Sequence, residues 1–171
     1  MIARGNAPGY HHRPLRGEEA LWIIKAKGNL PGRVDPTETF MRYLITGGSG
    51  FIGSHLAEHL LDAGDSVLVL DDLSTGRYEN IAHLEGRPGF ELRVASVTDP
   101  AVVERCVTDC QAVFHLASAV GVRLVVEQPV KTIETIVNGT DIVLRNCARY
   151  RRPVLLTSTS EVYGKSEKIP F

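Results

Sequence analysis

The sequence predicts an α/β protein whose core is a doubly wound parallel sheet of about five strands. Three observations carry this prediction: short apolar runs recur along the chain, helical segments separate them, and a glycine-rich turn joins the first run to the first helix. Strands that are joined by helical crossovers form parallel sheets covered on both faces. A chain of 171 residues is long enough for one ordinary domain of this kind.

The strands are predicted from apolar runs at residues 43–46, 66–70, 90–94, 112–116 and 154–158. The first helix is expected at residues 51–63, because apolar positions recur at helical spacing and Gly64 is a natural residue to end it. A second helix begins at Asp99, a capping residue that is followed by Pro100 at the first helical position. The third and longest helix covers about residues 128–150, with Ile133, Ile136, Thr140, Val143, Leu144 and Cys147 at helical spacing.

The first 40 residues differ from the rest in composition. They hold five glycines and four prolines and only one short segment that could form a helix. We therefore expect residues 1–40 to be a poorly ordered extension and residues 41–171 to form the domain. Because Met41 stands directly before the first strand, one interpretation is that translation starts there.

Composition also excludes some classes of function. The chain has 19 basic and 20 acidic residues, and this balance gives no dominant attraction to nucleic acid. No apolar run approaches the roughly 20 residues that a membrane span requires. The three cysteines form no Cys-x-x-Cys pair, which favours free thiols in a reducing compartment. With no signal peptide evident, we expect a cytoplasmic protein without nucleic-acid or membrane partners.

The glycine turn carries the strongest functional signal. Gly47, Gly50 and Gly53 are spaced as G-x-x-G-x-x-G between the first strand and the first helix. The first glycine allows the tight turn, the second lets a pyrophosphate approach the backbone, and the third lets the helix pack closely on the sheet. The helix N-terminus offers free N–H groups to the phosphates. This arrangement predicts a Rossmann-like dinucleotide-binding domain.

An acidic residue at the end of the second strand indicates which dinucleotide is bound. Asp71 lies 24 residues after Gly47, where a carboxylate can accept hydrogen bonds from both ribose hydroxyls and would repel a 2′-phosphate. NAD is therefore predicted over NADP. Arg77 leaves NADP open as an alternative, because its guanidinium, six residues after Asp71, could contact the 2′-phosphate.

A metal-binding pattern in the first helix is interpreted as a coincidence. His55, Glu58 and His59 match the H-x-x-E-H spacing of inverted zinc peptidases. That helix already serves to cover the sheet behind the glycine turn, and no further acidic ligand is evident. We expect no metal site.

Four segments in a fixed order resemble one superfamily over about residues 41–171. They are the glycine turn, the sequence His-Leu-Ala-Ser at 115–118, Asn-Gly-Thr at 138–140, and Ser-Thr-Ser-Glu-Val-Tyr-Gly at 158–164. The chain resembles the extended short-chain dehydrogenases/reductases, specifically the NAD-dependent nucleotide-sugar epimerases and dehydratases. Beyond the three glycines, the resemblance implies cofactor contacts at the pyrophosphate (Phe51, Ile52), the adenosine ribose (Asp71, Asp72, Thr75, Gly76), the adenine (Ser96, Val97), the end of the fourth strand (Leu116, Ala117, Ser118) and the nicotinamide side (Thr157, Ser158). Leu116 and Ala117 are equally compatible with plain sheet core.

The resemblance also implies catalytic residues. Thr159 matches the Ser/Thr that binds the sugar oxygen being oxidised, and Ser160 is a candidate substrate contact or a turn residue. Glu161 resembles the acid found in dehydratases and UDP-glucuronate decarboxylases, whereas plain 4-epimerases tend to lack it; the alternative is a surface carboxylate. Tyr163 belongs to a structural Val-Tyr-Gly turn, since no Lys follows at the fourth position.

Two departures from the family pattern limit this interpretation. No Tyr-x-x-x-Lys pair occurs in the chain, although the family places one about 25 residues beyond Thr159, and Ile136 stands where the family commonly has Asn. We therefore expect the N-terminal NAD-binding part of an enzyme that oxidises C4 of a UDP- or dTDP-sugar transiently, truncated before the catalytic Tyr/Lys helix and the substrate domain. Such a part is expected to be inactive alone and to belong to a homodimer when full-length. The alternative is a non-catalytic NAD(H)-binding regulatory module.

Overall fold

A computed structural model describes residues 40–118, 127 and 129–158. The expected extension lies outside the described residues except for its last position, as do Thr159, Ser160 and Glu161.

Strands and α-helices follow one another along the described residues. The strands are β1 (Arg42–Thr46), β2 (Ser66–Asp71), β3 (Phe90–Val94), β4 (Ala112–His115) and β5 (Val154–Leu156). The helices are α1 (Phe51–Asp62), α2 (Pro100–Thr108) and α3 (Pro129–Arg149). Each of these predicted strands and helices is present, with ends that differ from the predicted ones by at most two residues.

All strand pairs are parallel, and the strand order across the sheet is β3-β2-β1-β4-β5. The chain moves outward from β1 to β3 and then returns to the other side of β1. This reversal places a crevice between the carboxyl ends of β1 and β4, where open α/β sheets bind ligands. The predicted doubly wound parallel sheet is confirmed.

Part of the core lies on the face of the sheet that α2 and α3 cover. Apolar side chains of the central strands pack there against both helices, and all members of this cluster are at most 5% exposed: Leu44, Leu68, Leu70, Val97, Val103, Cys106, Val107, Cys110, Val113, Val143 and Cys147. Burial on this scale is the main favourable term in folding and makes the sheet a rigid support for its strand ends.

Helix α2 begins as predicted. The Asp99 side chain accepts hydrogen bonds from the amides of Ala101 and Val102 at 3.0 and 3.1 Å, and Pro100 occupies the first turn. A cap of this kind is worth about 1 kcal/mol. It fixes the point at which the chain returns to the sheet after β3.

Helix α3 faces the core with only part of the set of residues that its apolar pattern suggested. Ile133 and Ile136 are 61% and 38% exposed, whereas Gly139, Val143 and Cys147 are buried. Gly139 marks a point of close approach, because a methyl group added there would lie only 2.7 Å from a methyl carbon of Val97. Helix α3 therefore contacts the segment that follows β3 at this point.

The connection from β2 to β3 contains two 3₁₀ turns, Tyr78–Asn80 and Ala82–Leu84. The sequence analysis did not anticipate them. Ile81 and Leu84 are fully buried and anchor this connection to the core. Among the described helices, none combines the length and the apolar character needed to cross a bilayer.

Candidate functional site

The carboxyl ends of β1, β2 and β4 bring the predicted cofactor residues of those strands to one edge of the sheet. The glycine turn follows β1, Asp71 ends β2, and residues 116–118 follow β4. The Gly47 amide donates to the Leu70 carbonyl at 2.9 Å, and the Leu116 amide donates to the Thr46 carbonyl at 3.1 Å. Each bond extends a strand ladder by one step into the site.

Gly47 lies where the turn meets the segment after β4. Its φ is +74°, a value that favours glycine, and an added methyl group would lie 2.8 Å from the Ala117 backbone. The structure therefore requires glycine here for two reasons, backbone conformation and close contact.

The other two glycines of the turn, Gly53 and Gly50, differ in how much space surrounds them. A methyl group at Gly53 would collide with the Gly47 carbonyl oxygen and lie 2.6 Å from Gly48 Cα. Helix α1 therefore packs directly on the turn at Gly53, where the sequence predicted close packing on the sheet. At Gly50 the same group would meet only the Gly47 oxygen, at 3.2 Å, and otherwise points into open space. An open position there is what a pyrophosphate needs.

Helix α1 presents two apolar side chains at its first turn. Phe51 and Ile52 are 78% and 67% exposed, and the phenyl ring lies 4.8 Å from the His55 imidazole, centroid to centroid. His55 Nδ1 is 2.8 Å from the Phe51 carbonyl oxygen, to which it donates. Because the first N–H groups of a helix have no partner within it, this end of α1 combines donors with an apolar cover.

Asp71 joins the end of β2 to the glycine turn. Its carboxylate is buried at 8% exposure, accepting from the Ser49 amide at 2.8 Å and from the Leu73 amide at 2.9 Å. Leu73 has a φ of +58°, a left-handed conformation that this hydrogen bond supports. A carboxylate oxygen can accept more than one hydrogen bond, so both oxygens keep capacity for ribose hydroxyls.

The predicted ribose residues after Asp71 form a tight turn. Asp72 is exposed and accepts from the amide and hydroxyl of Ser74 at 3.0 and 2.6 Å, and Thr75 is exposed. Gly76 lies against the glycine turn, since an added methyl group would be 2.9 Å from Ser49 Cβ.

The glycine turn and this second turn are joined through one carbonyl group. The Ser49 carbonyl accepts from the Arg77 amide at 3.1 Å and from the Asn80 side chain at 2.8 Å. The sequence did not predict either contact, because every residue has a backbone carbonyl group and no sequence motif marks the one that accepts.

The two predicted adenine residues follow β3. Ser96 is half-buried and its hydroxyl lies 2.8 Å from that of Thr98. Val97 is 5% exposed and packs beneath Gly139 of α3. Val97 therefore supports the core, and its position beside adenine remains a prediction.

Residues on the β4 and β5 side are brought to the same edge. Leu116, Ala117 and Ser118 are half-buried, and the Ala117 amide donates to the Thr46 hydroxyl at 3.2 Å. Thr157 and Ser158 are exposed after β5, with the Thr157 hydroxyl 3.5 Å from the His115 carbonyl oxygen.

A buried polar cluster beside these residues escaped the sequence analysis. His115 is 2% exposed and its ring contacts the hydroxyl groups of Thr46 and Thr140. A histidine in an otherwise apolar strand was the available signal, but its partners lie 69 and 25 residues away in sequence.

The residues of the metal-binding pattern have other contacts. His55 bonds to Phe51 as described, and Glu58 lies 3.4 Å from His83. Within residues 40–118, 127 and 129–158, no three His, Cys, Asp or Glu side chains are grouped as metal ligands would be.

Residues 44–171 match the protein family described as GDP-mannose 4,6 dehydratase. Among curated proteins, UDP-glucuronic acid decarboxylase 1 of Arabidopsis thaliana is 44% identical over 124 residues, 72% of this chain and 27% of that protein. UDP-glucuronic acid decarboxylase 4 of the same plant is 42% identical over 157 residues, 92% of this chain and 34% of that protein. This second match extends into residues 1–40.

Solved structures agree with the curated relatives. A Thermus thermophilus UDP-glucose 4-epimerase in complex with NAD is 37% identical, with a TM-score of 0.61, covering 70% of this chain and 38% of that one. A Streptomyces venezuelae dTDP-glucose 4,6-dehydratase with bound NAD is 32% identical, with a TM-score of 0.70, covering 75% and 42%. These complexes support the prediction of NAD as cofactor. The chain spans well under half the length of each of these four proteins.

Proposed function

Because this chain belongs to the GDP-mannose 4,6-dehydratase family, we propose that it is the NAD-binding part of an enzyme that modifies a nucleotide sugar. The observation that carries this proposal is the buried Asp71 carboxylate, which is hydrogen-bonded to the glycine turn at the switch point of the sheet. The turn supplies amides and an open position at Gly50 for the pyrophosphate, and the carboxylate supplies acceptors for the adenosine ribose.

The same geometry supports NAD over NADP. Asp71 is fixed by two backbone amides, so its negative charge cannot turn away from a 2′-phosphate. Arg77 is tied to the glycine turn only through its backbone amide. A carboxylate that is held in place makes discrimination against NADP an electrostatic property of the fold.

The proposed substrate is a UDP- or dTDP-linked sugar, and the reaction belongs to the epimerases, dehydratases or decarboxylases. Bound NAD would supply reversible hydride acceptance from the sugar C4. In this proposal the Thr159 hydroxyl binds the oxygen at that carbon and Ser160 contacts the substrate. Glu161 acts as acid/base at the neighbouring carbons or orients a departing carboxylate.

The 171 residues contain no Tyr-x-x-x-Lys pair, so we propose that this chain alone binds NAD without turning over sugar. In the family the lysine lowers the tyrosine pKa, so that a phenolate can take the proton of the C4 hydroxyl. Loss of such a general base typically costs about 10²- to 10⁴-fold in rate.

The test is a pair of measurements on purified residues 1–171. Calorimetric titration should show saturable NAD binding, and incubation with NAD and UDP-glucuronate or UDP-glucose should yield no product. Product formation would contradict the inactivity. The alternative, a non-catalytic NAD(H) module, requires that no Tyr-x-x-x-Lys pair follows Phe171 in the open reading frame, so the downstream DNA distinguishes the two.

For the full-length enzyme we propose a homodimer that uses α3. Four of its apolar side chains lie on one face at helical spacing and are 67%, 61%, 57% and 37% exposed: Val130, Ile133, Val137 and Leu144. A contiguous apolar face of this kind is typical of an interface between protein chains. Sedimentation of the full-length protein should show a dimer that Val137→Glu dissociates, whereas Arg145→Glu, on an exposed polar position of the same helix, should not.

Two further proposals concern the boundaries and the location of the protein. We propose that the domain comprises residues 41–171, which limited proteolysis would test as a stable product beginning near Met41. The family match, which begins at residue 44, supports this boundary. A cytoplasmic location is supported by the cysteines, which are all buried and free.

A further inference from the structure

A histidine is buried between β1, β4 and α3 beside the proposed cofactor site. His115 is paired with Thr46 in the sheet, and its Nδ1 lies 2.7 Å from the Thr46 Oγ1. On the other side of the ring, Nε2 lies 3.1 Å from the Thr140 Oγ1 of α3. The ring therefore bridges two hydroxyl groups that are far apart in sequence.

The hydrogen-bond partners determine which ring nitrogen carries the proton. The Thr46 hydroxyl accepts from the Ala117 amide at 3.2 Å, which leaves its own hydrogen to donate. His115 Nδ1 is the acceptor in reach, so the proton is assigned to Nε2, which donates to Thr140. Burial lowers the pKa of His115, so the ring is neutral at physiological pH.

Burial of the His115 ring is the cause of its lowered pKa. Its surroundings are hydroxyl groups from β1 and α3, together with the Thr157 hydroxyl near its backbone carbonyl. The cluster is a neutral network whose arrangement depends on hydrogen-bond direction.

This arrangement holds the segment after β4 against the glycine turn. The amides of Leu116 and Ala117 donate to the carbonyl and hydroxyl of Thr46, respectively. Gly47 touches the same segment, with room for no additional atom beside the Ala117 backbone. Rotation of the Thr46 hydroxyl would weaken one of the two bonds that fix this contact.

We propose that His115 is a positioning residue for the cofactor: as a neutral imidazole protonated at Nε2, it orients the Thr46 hydroxyl to receive the Ala117 amide and so fixes the segment after β4 beside the glycine turn. The inference rests on the proposed function, since it assumes that this edge binds NAD. His115 itself contacts only protein groups in this role.

Two valine substitutions distinguish an effect on NAD binding, through the segment after β4, from an effect on the stability of the fold alone. Thr46→Val and Thr140→Val each remove one hydroxyl partner of His115, but only Thr46 contacts Ala117. We expect Thr46→Val to weaken NAD binding about tenfold and Thr140→Val to leave it within about threefold, although both should lower the melting temperature. Thr46→Ser, which keeps the hydroxyl, should restore NAD affinity.

Variants of the histidine complete the experiment. His115→Phe should weaken NAD binding about tenfold, whereas His115→Asn, whose Oδ1 can take the place of Nδ1 as acceptor, should bind within about threefold of the unsubstituted protein. Combining His115→Phe with Thr46→Val should weaken binding little further, because both act on one hydrogen bond. Nitrogen-15 NMR of the folded protein should show the Nε2–H tautomer.

Equal effects of the two valine variants, no effect of either, or an Nδ1–H tautomer would overturn the positioning role. Failure of the proposed function is a different result, because the unsubstituted protein would then not bind NAD at all. If His115→Phe does not fold, the comparison of Thr46→Val with Thr46→Ser still decides the matter.

Discussion

At the scale of single residues, Asp71 links the stability of the glycine turn to the proposed binding of the cofactor. It accepts the amides of Ser49 and Leu73 and thereby fixes the glycine turn, and in the proposed function it also binds the ribose. Because the carboxylate is buried and both its oxygens are engaged, the loss of one acceptor affects the turn and the ligand together. This distinguishes it from its neighbour Asp72, which is exposed.

Asp71→Asn should weaken NAD binding about tenfold or more and lower the free energy of unfolding by about 1–3 kcal/mol. The amide group places its NH₂ against one of two backbone donors, so one bond is lost whichever way it faces. Calorimetry with NAD and urea denaturation measure the two effects. Asp72→Asn is the matched control for stability, since its remaining oxygen can still accept from Ser74. Equal losses of unfolding free energy in the two variants would contradict the role of Asp71 in fixing the glycine turn.

His115 gives stability a defined pH dependence. Burial lowers its pKa in the folded state, so the unfolded chain binds more protons near and below pH 6.5. The stabilisation from the neutral ring is therefore complete above about pH 6.5 and is lost as the pH falls through the folded-state pKa. Urea denaturation between pH 5 and 7.5 should show this slope, and His115→Asn should flatten it. An unchanged slope in that variant would contradict the account.

At the scale of elements, the glycine turn shows how one motif divides into structural and binding positions. Gly53 allows α1 to pack on the turn, whereas Gly50 faces open space apart from one carbonyl oxygen. Substitutions at these two glycines, which lie within four residues of chain, should therefore affect stability and NAD binding separately.

Gly53→Ala should destabilise the domain by about 2 kcal/mol, because its methyl group would collide with backbone atoms that cannot move freely. Gly50→Ala should cost less in stability but weaken NAD binding strongly, since its methyl group would occupy the space proposed for the pyrophosphate. Thermal melts and NAD titrations of both variants test this. The reverse order of stabilities would show that the roles of the two glycines are misassigned.

The sequence predicted structural features correctly where they depend on residues that are close together in the chain. The cap at Asp99 and the turn at Gly47 depend on residues a few positions away, and both were predicted correctly. The buried face of α3 was predicted only in part: Val143 and Cys147 are buried as expected, but the contact of Gly139 with Val97 was missed, because Val97 lies in a distant part of the chain. His115 was missed for the same reason, since its partners are brought close only by the sheet.

At the scale of the whole molecule, the three cysteines lie together in the core beneath the sheet. Burial raises the pKa of Cys110 to about 12 and that of Cys147 to about 11, and it also raises the pKa of Cys106. Since the thiolate is the reactive form, these thiols should be inert while the domain is folded.

A thiol-specific reagent such as dithionitrobenzoate should therefore label none of the three cysteines over several minutes at pH 7.5. In urea all three should react, because unfolding restores ordinary thiol pKa values and access. Labelling of the native protein would show that the core opens, which would contradict the packing of α2 and α3 on the sheet.

Topology was predictable from the alternation of strands and helices, and the sheet confirms it. The identity of the sugar was not, because the described residues concern the cofactor side and the proposed substrate contacts at Thr159, Ser160 and Glu161 lie outside them. The part of the proposed function that the described residues can test is therefore NAD binding at this edge of the sheet.

Calorimetric titration of residues 1–171 with NAD and, separately, with NADP is the most direct test of that claim. We expect saturable NAD binding with one site per chain and NADP binding at least about tenfold weaker, because in the proposed site the fixed Asp71 carboxylate would repel a 2′-phosphate. Asp71→Asn should reduce the difference between the affinities for NAD and for NADP. A folded protein that binds neither nucleotide, or that prefers NADP, would contradict the account.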